Sequence, residues 1–131
     1  MIIPITALYA ALLVAVFVVL TVRIGLARGR TGISMLDGGN EQVLVDMRRH
    51  GNFIEHVPLL LILMAIIEIN DGSPVFLHIV GIALVICRIA HPFGLRHDRA
   101  QTPMRLLGAA GTILVTVALG LMVLWQGLSA L

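Results

Sequence analysis

The chain contains no lysine, one cysteine and few charged residues of any kind. Only 12% of its 131 residues are charged and 59% are hydrophobic, whereas an ordinary soluble domain has about 25% charged residues. This composition excludes a conventional soluble domain and indicates an integral membrane protein, for which we expect no nucleic-acid partner. The single cysteine, Cys87, excludes an internal disulfide and any metal site built on paired thiolates.

The absence of lysine means that all nine Lys or Arg positions are arginine. A guanidinium offers a rigid fork that matches a carboxylate, whereas a lysine ammonium is a mobile point charge. The pattern therefore favours the binding of an anion. A compositional bias from a GC-rich genome explains it nearly as well.

Four apolar stretches cover residues 1–22, 57–67, 74–87 and 106–131. The second and third are shorter than the ~20 residues that a membrane span needs, so their helices must include neighbouring polar positions. The first stretch lacks a basic start and is too long for a signal peptide. We therefore predict an all-α membrane protein, with one four-helix transmembrane domain over residues 1–131.

The cations lie in the first and third predicted connectors and not in the second, residues 70–73. Those flanking the first are Arg23, Arg28, Arg30, Arg48 and Arg49, and those flanking the third are Arg88, Arg96, Arg99 and Arg105. Basic loops tend to remain cytoplasmic. We therefore predict both termini outside, and a short turn over residues 70–74 that makes spans two and three antiparallel neighbours.

The second predicted helix carries ionisable residues into the membrane. Asn40 is a candidate N-cap, and Arg48, Asn52 and Glu55 share one helix face because they are spaced i, i+4, i+7. Asn52 lies ~6 Å and Glu55 ~10 Å beyond Arg48 at the helical rise. Charged groups at such depth usually face a bundle interior or a wet cavity and indicate a functional site.

Spans three and four bring further polar residues to the same side. Arg88 and His91 share a face of span three, and Arg105 opens span four. Arg48, Arg49, His50 and Glu55 of the second helix are expected at a similar depth. The whole set suits a zwitterionic ligand that has carboxylates and an amine. A purely structural network, chiefly Glu55 with Arg48 or Arg88, is the alternative.

Other ionisable residues carry weaker signals. His56 and His78 are expected at packing or interface positions, and Glu68 and Asp71 are expected to be solvated helix ends. No metal site is predicted, because His50, His56 and Glu55 do not converge with a fourth ligand on one helix face.

A series of polar residues and one proline marks the second helix: Arg48, His50, Asn52, Glu55, Pro58 and Glu68. This series resembles the signature of the MAPEG family, the membrane-associated proteins in eicosanoid and glutathione metabolism, and is most similar to the short bacterial members. The resemblance covers nearly the whole chain. It implies a homotrimer in a bacterial inner membrane, with glutathione held between adjacent subunits near the cytoplasmic face.

The resemblance also implies roles for individual residues. Glutathione, as co-substrate, would be bound by a set that extends over two helices: Arg48, His50, Asn52, Glu55, Arg88 and His91. Arg105 resembles the arginine that stabilises the glutathione thiolate, and Arg99 is the second candidate. Such a cation matters because a free thiol has a pKa near ~8.5, so that little thiolate forms at neutral pH without it.

Three functions are compatible with these residues. The first is a glutathione-dependent transferase or peroxidase that acts on lipophilic electrophiles or lipid hydroperoxides. The second is a noncatalytic membrane trimer that binds an anionic ligand or partner. The third is a small proton-coupled exporter that uses Glu55. The expected proximity of four arginines would hold that carboxylate ionised and argues against this function; they are Arg48, Arg49, Arg88 and Arg105. Family members often carry a tyrosine after the span-three arginine, where this chain has His91, so tyrosine-assisted steps are not expected.

Overall fold

The computed structural model describes residues 1–95 and 102–131, and over these ranges it consists of four helices joined by short connectors. The helices are α1 (Pro4–Thr31), α2 (Glu41–Ile69), α3 (Pro74–Gly94) and α4 (Pro103–Ser129). Each is long and apolar enough to cross a membrane. The predicted all-α, four-span architecture is confirmed.

The start of α2 lies where the sequence predicts it. The Asn40 side-chain oxygen accepts hydrogen bonds from the backbone N–H groups of Gln42 and Val43, at 3.0 and 3.1 Å. These bonds satisfy two of the donors that a helix N-terminus leaves without partners. The helix then continues through Pro58 to Ile69, so Arg48 lies about two turns after its start.

The helices pack around one apolar core in the order α1, α2, α4, α3. The sequence predicts α2 and α3 as antiparallel neighbours. They do contact each other, but least of the packed pairs, so the two helices lie across a diagonal of the bundle although the short turn joins them. The core is formed by large side chains from all four helices: Leu13, Leu20, Phe53, Leu60, Met64, Leu77, Leu84 and Leu119. Arg88 on α3 therefore reaches α2 and α4 from one buried position.

The most extensive helix contact joins α3 and α4, whose backbones approach closely at a glycine of α4. A Cβ atom added to Gly108 would lie 2.6 Å from the Cβ and 2.7 Å from the Cα of His91. Such a clash with backbone atoms cannot be relieved by rotating a side chain. Gly108 therefore sets the distance between the two helices and the depth of His91 and Arg88.

We predict that Gly108→Ala destabilises the bundle by about 1–3 kcal/mol, because the added methyl group overpacks a rigid contact. Gly120, on the same helix, has no atom within 4 Å of an added Cβ. Gly120→Ala should therefore stabilise by up to about 1 kcal/mol through the higher helix propensity of alanine. Thermal unfolding of both variants in detergent, followed by circular dichroism, tests the pair. Equal shifts of the two unfolding midpoints would contradict the prediction.

The expectation that Glu68 is a solvated helix end is wrong. Its two carboxylate oxygens accept hydrogen bonds from the backbone N–H groups of Ile5 and Thr6, both at 2.7 Å. A carboxylate at a helix N-terminus satisfies free donors and complements the helix dipole. The end of α2 thus anchors the start of α1. Asp71, in contrast, is exposed in the turn that follows.

Candidate functional site

A groove opens where α2, α3 and α4 meet, at the bundle end that carries the basic connectors. It has a volume of about 460 Å³, within the ~300–1,000 Å³ typical of small-molecule sites. We name it the α2–α4 groove and define it by its lining residues: Glu41, Leu44, Val45, Arg48, Asn52, His91, Leu95 and Arg105. Four of these are site residues predicted from the sequence: Arg48, Asn52, His91 and Arg105.

Arg105 is positioned by the close approach of α4 to the end of α3. The Thr102 hydroxyl accepts a hydrogen bond from the Arg105 backbone N–H at 3.2 Å and donates one to the Gly94 carbonyl at 2.7 Å. A Cβ added to Gly94 would collide with the Arg105 backbone. The start of α4 is therefore fixed against α3, and Arg105 lies beside the buried ring of His91.

Arg88 lies behind the groove and does not line it. It is only 2% exposed. Its Nη1 donates to the Asn52 side-chain oxygen at 2.9 Å, and its Nη2 donates to the Gly108 carbonyl at 3.0 Å and to the Thr112 hydroxyl. All three acceptors are neutral, and no carboxylate in residues 1–95 or 102–131 forms an ion pair with Arg88. Within the described residues, the groove therefore has behind Asn52 a buried cation without an acidic partner.

Glu55 contacts the groove only through Arg48. One of its carboxylate oxygens lies 3.7 Å from Arg48 Nη1, and the two side chains are 50% and 61% exposed. Of the two partners weighed for Glu55 from the sequence, the structure places it with Arg48 and not with Arg88. An ion pair of this exposure is only weakly fixed, so Arg48 can turn toward a ligand.

His50 and Arg49 face away from the groove. The His50 ring packs against the Phe17 ring of α1, with centroids 5.2 Å apart. Arg49 forms a 2.9 Å ion pair with the buried carboxylate of Asp46 and donates to the Leu95 carbonyl at 2.8 Å. The structure thus does not bring His50 to the other predicted ligands. Arg99, the second candidate for the thiolate cation, lies outside the described residues.

Sequence reasoning missed Glu41, which lines the groove. Its spacing of seven residues from Arg48 puts it on the same face of α2, so the helical period could have identified it. An acid in the first turn of a helix also stabilises the helix dipole, so its position there does not by itself indicate a ligand site. The groove therefore presents two guanidiniums, an amide, an imidazole and a carboxylate.

The chain matches known proteins over most of its length. The MAPEG family model matches residues 6–125. The inner membrane protein YecN of Escherichia coli strain K12 is 30% identical over 93 residues, which is 71% of each chain. YecN of Escherichia coli O6:H1 strain CFT073 gives the same identity and coverage. No solved structure matches the chain significantly.

Proposed function

The chain belongs to the MAPEG family, and from this membership we propose that it binds glutathione in the α2–α4 groove and activates the thiol. The family includes glutathione transferases. The observation that carries the proposal is the convergence of Arg48, Asn52, His91 and Arg105 on one groove of suitable volume. The second substrate would be a lipophilic electrophile or a lipid hydroperoxide dissolved in the same membrane.

The polar groups of the groove complement those of glutathione. The tripeptide has two carboxylates, one ammonium and one thiol. Arg48 can bind a carboxylate through a forked, charge-assisted pair, and Asn52 can hydrogen-bond a peptide group. An acid, Glu55 beside Arg48 or Glu41 in the lining, would bind the ammonium. Arg88 holds the amide of Asn52 in place.

Arg105 would hold the thiol as a thiolate. A nearby guanidinium lowers the pKa of a thiol by favouring its charged form. With an electrophile, the thiolate sulfur forms a thioether bond and the leaving group departs with the electron pair. With a hydroperoxide, the sulfur takes the terminal oxygen to give a sulfenic acid and an alcohol, and a second glutathione then yields the disulfide and water.

The exposure of the Arg48–Glu55 pair supports an oligomer, for which the family resemblance implies a homotrimer. On a single protomer the pair is at least half exposed, and Glu55 lies ~10 Å further along α2 than Arg48 at the helical rise. Charges facing lipid at that depth are costly. A neighbouring subunit that covers this face would remove the cost and would complete a binding site between protomers.

The proposed location is a bacterial inner membrane, as the name of the YecN relatives suggests. The end of α1, the start of α2 and the start of α4 would face the cytoplasm, because arginines are concentrated there and basic segments tend to remain cytoplasmic. Both termini would then lie outside. The α2–α4 groove would open near the cytoplasmic face, where a soluble thiol can enter it.

A glutathione titration of the detergent-solubilised protein tests the proposal. We expect a saturable ultraviolet absorbance of the thiolate, and none with S-methyl glutathione, which cannot ionise at sulfur. Heat uptake by calorimetry without the thiolate signal would favour the noncatalytic binder. The absence of both signals would contradict glutathione as the ligand.

We predict that Glu55→Gln weakens glutathione binding about tenfold, because a charge-assisted hydrogen bond contributes ~1.5–3 kcal/mol. An analogue that lacks the amino group should bind the variant and the wild type equally. Glu41→Gln is the matched comparison, since Glu41 lies on the same helix face and lines the groove. Calorimetric Kd values for both ligands identify which acid binds the ammonium. Equal weakening for both ligands in both variants would refute an ammonium contact.

A further inference from the structure

A second groove lies between α1 and α3, on the side of Arg88 away from the α2–α4 groove. It has a volume of about 450 Å³, and we name it the α1–α3 groove. Apolar side chains form most of its wall, among them Val16, Val19 and Ile89. Three arginines, Arg23, Arg49 and Arg88, line the same groove. The groove is therefore amphipathic.

Among the residues that the structure describes, the three arginines of this groove have one acidic partner, Asp46. Asp46 pairs with Arg23 at 3.4 Å and with Arg49 at 2.9 Å, but no described carboxylate forms an ion pair with Arg88. The Nε atoms of both Arg49 and Arg88 are buried without a hydrogen-bond partner. Buried donors without partners are costly and uncommon. Within the described part of the chain, the basic part of the groove therefore has an excess of positive charge, and two of its guanidinium nitrogens have no hydrogen-bond partner.

The groove is open along its apolar side. Val19 is 60% and Phe93 is 75% exposed, and both line it. These residues belong to membrane-spanning helices, so the surrounding solvent is the acyl region of the bilayer. Arg23, with a half-exposed side chain, lies eight residues before the end of α1, ~12 Å along the helix. An occupant that matches both parts of the groove would therefore have an acyl chain against the apolar wall and an anionic group at the arginines.

We infer that the α1–α3 groove binds an anionic phospholipid of the surrounding membrane, with its phosphate at Arg23 and Arg49 and an acyl chain along Val19 and Ile89. Arginine pairs with phosphate through forked hydrogen bonds. Basic pockets between membrane helices on the cytoplasmic side bind anionic headgroups. A zwitterionic lipid would bring its own cation toward the arginines, so charge selects against it. This inference does not depend on glutathione binding.

Native mass spectrometry of the full chain in detergent, with one added lipid at a time, tests the inference. The probes are phosphatidylglycerol and phosphatidylcholine with identical acyl chains. We expect preferential retention of phosphatidylglycerol by the wild type. Arg23→Gln should reduce that retention about fivefold, which corresponds to ~1 kcal/mol for one arginine at a lipid surface. Arg30→Gln, an exposed arginine of α1 outside this groove, should leave it unchanged.

A second pair of variants tests the apolar wall without removing charge. Val19→Trp should fill the groove and reduce phosphatidylglycerol retention, whereas Val18→Trp, at an exposed position outside the lining, should not. Equal retention of the two lipids, or equal losses in Arg23→Gln and Arg30→Gln, would overturn the inference. Loss of oligomers from Val19→Trp with unchanged lipid retention would overturn it as well, because a second copy of the chain would then occupy the groove.

Discussion

Replacing Arg105 with alanine is expected to lower the rate of thiol transfer about a hundredfold and to change glutathione affinity only a few fold. Removal of one donor that stabilises an anion at a reacting centre typically costs ~10²–10³ in rate. Arg105 lines the α2–α4 groove together with His91, and we propose that its guanidinium stabilises the glutathione thiolate. The absorbance of bound thiolate at saturating glutathione, together with the calorimetric Kd, measures the two effects separately.

Arg48→Ala provides the contrasting variant. Arg48 lines the same groove but is proposed to bind a carboxylate, so its removal should raise the Kd and leave the thiolate fraction at saturation unchanged. An equal loss of affinity and thiolate in Arg105→Ala would assign Arg105 to binding. An unchanged thiolate signal in Arg105→Ala would contradict its proposed role altogether.

The part of the site on α2 could be predicted because it depends on helical geometry alone. Once residues 41–69 form one helix, the spacing of Arg48 and Asn52 fixes their common face whatever the rest of the chain does. The same helical period also puts Glu41 on the face of α2 that carries Arg48. The N-cap at Asn40 is equally local, since its partners are Gln42 and Val43.

Contacts between helices could not be predicted in this way. Glu68 binds backbone groups that lie 62 and 63 residues earlier, and nothing in the local sequence distinguishes such an acid from a solvated helix end. The partners of Arg88 on α4 follow from the diagonal placement of α2 and α3. A short turn between two helices does not fix that placement, so from the sequence both Arg48 and Arg88 are candidate partners for Glu55.

Replacing Arg88 with methionine is expected to weaken glutathione binding by about thirtyfold to a hundredfold while the protein stays folded. A charge buried among neutral acceptors costs stability, and apolar replacement of buried charged groups by residues of similar volume is often neutral or stabilising. Glutathione binding, in contrast, should be weakened for two reasons. Asn52 loses the hydrogen bond that orients its amide, and the groove loses a poorly screened cation that attracts the anionic ligand.

Two measurements separate this functional role from a purely structural one. Thermal unfolding in detergent should show Arg88→Met within a few degrees of the wild type, while calorimetry shows the higher Kd. Thr112→Val is the matched control, because it removes one acceptor of Arg88 but keeps the charge and the bond to Asn52. It should destabilise by about 1–3 kcal/mol, the usual cost of leaving a buried donor without its partner, and bind glutathione nearly as the wild type does. A destabilised Arg88→Met that retains wild-type affinity would show that the buried arginine only joins α2, α3 and α4.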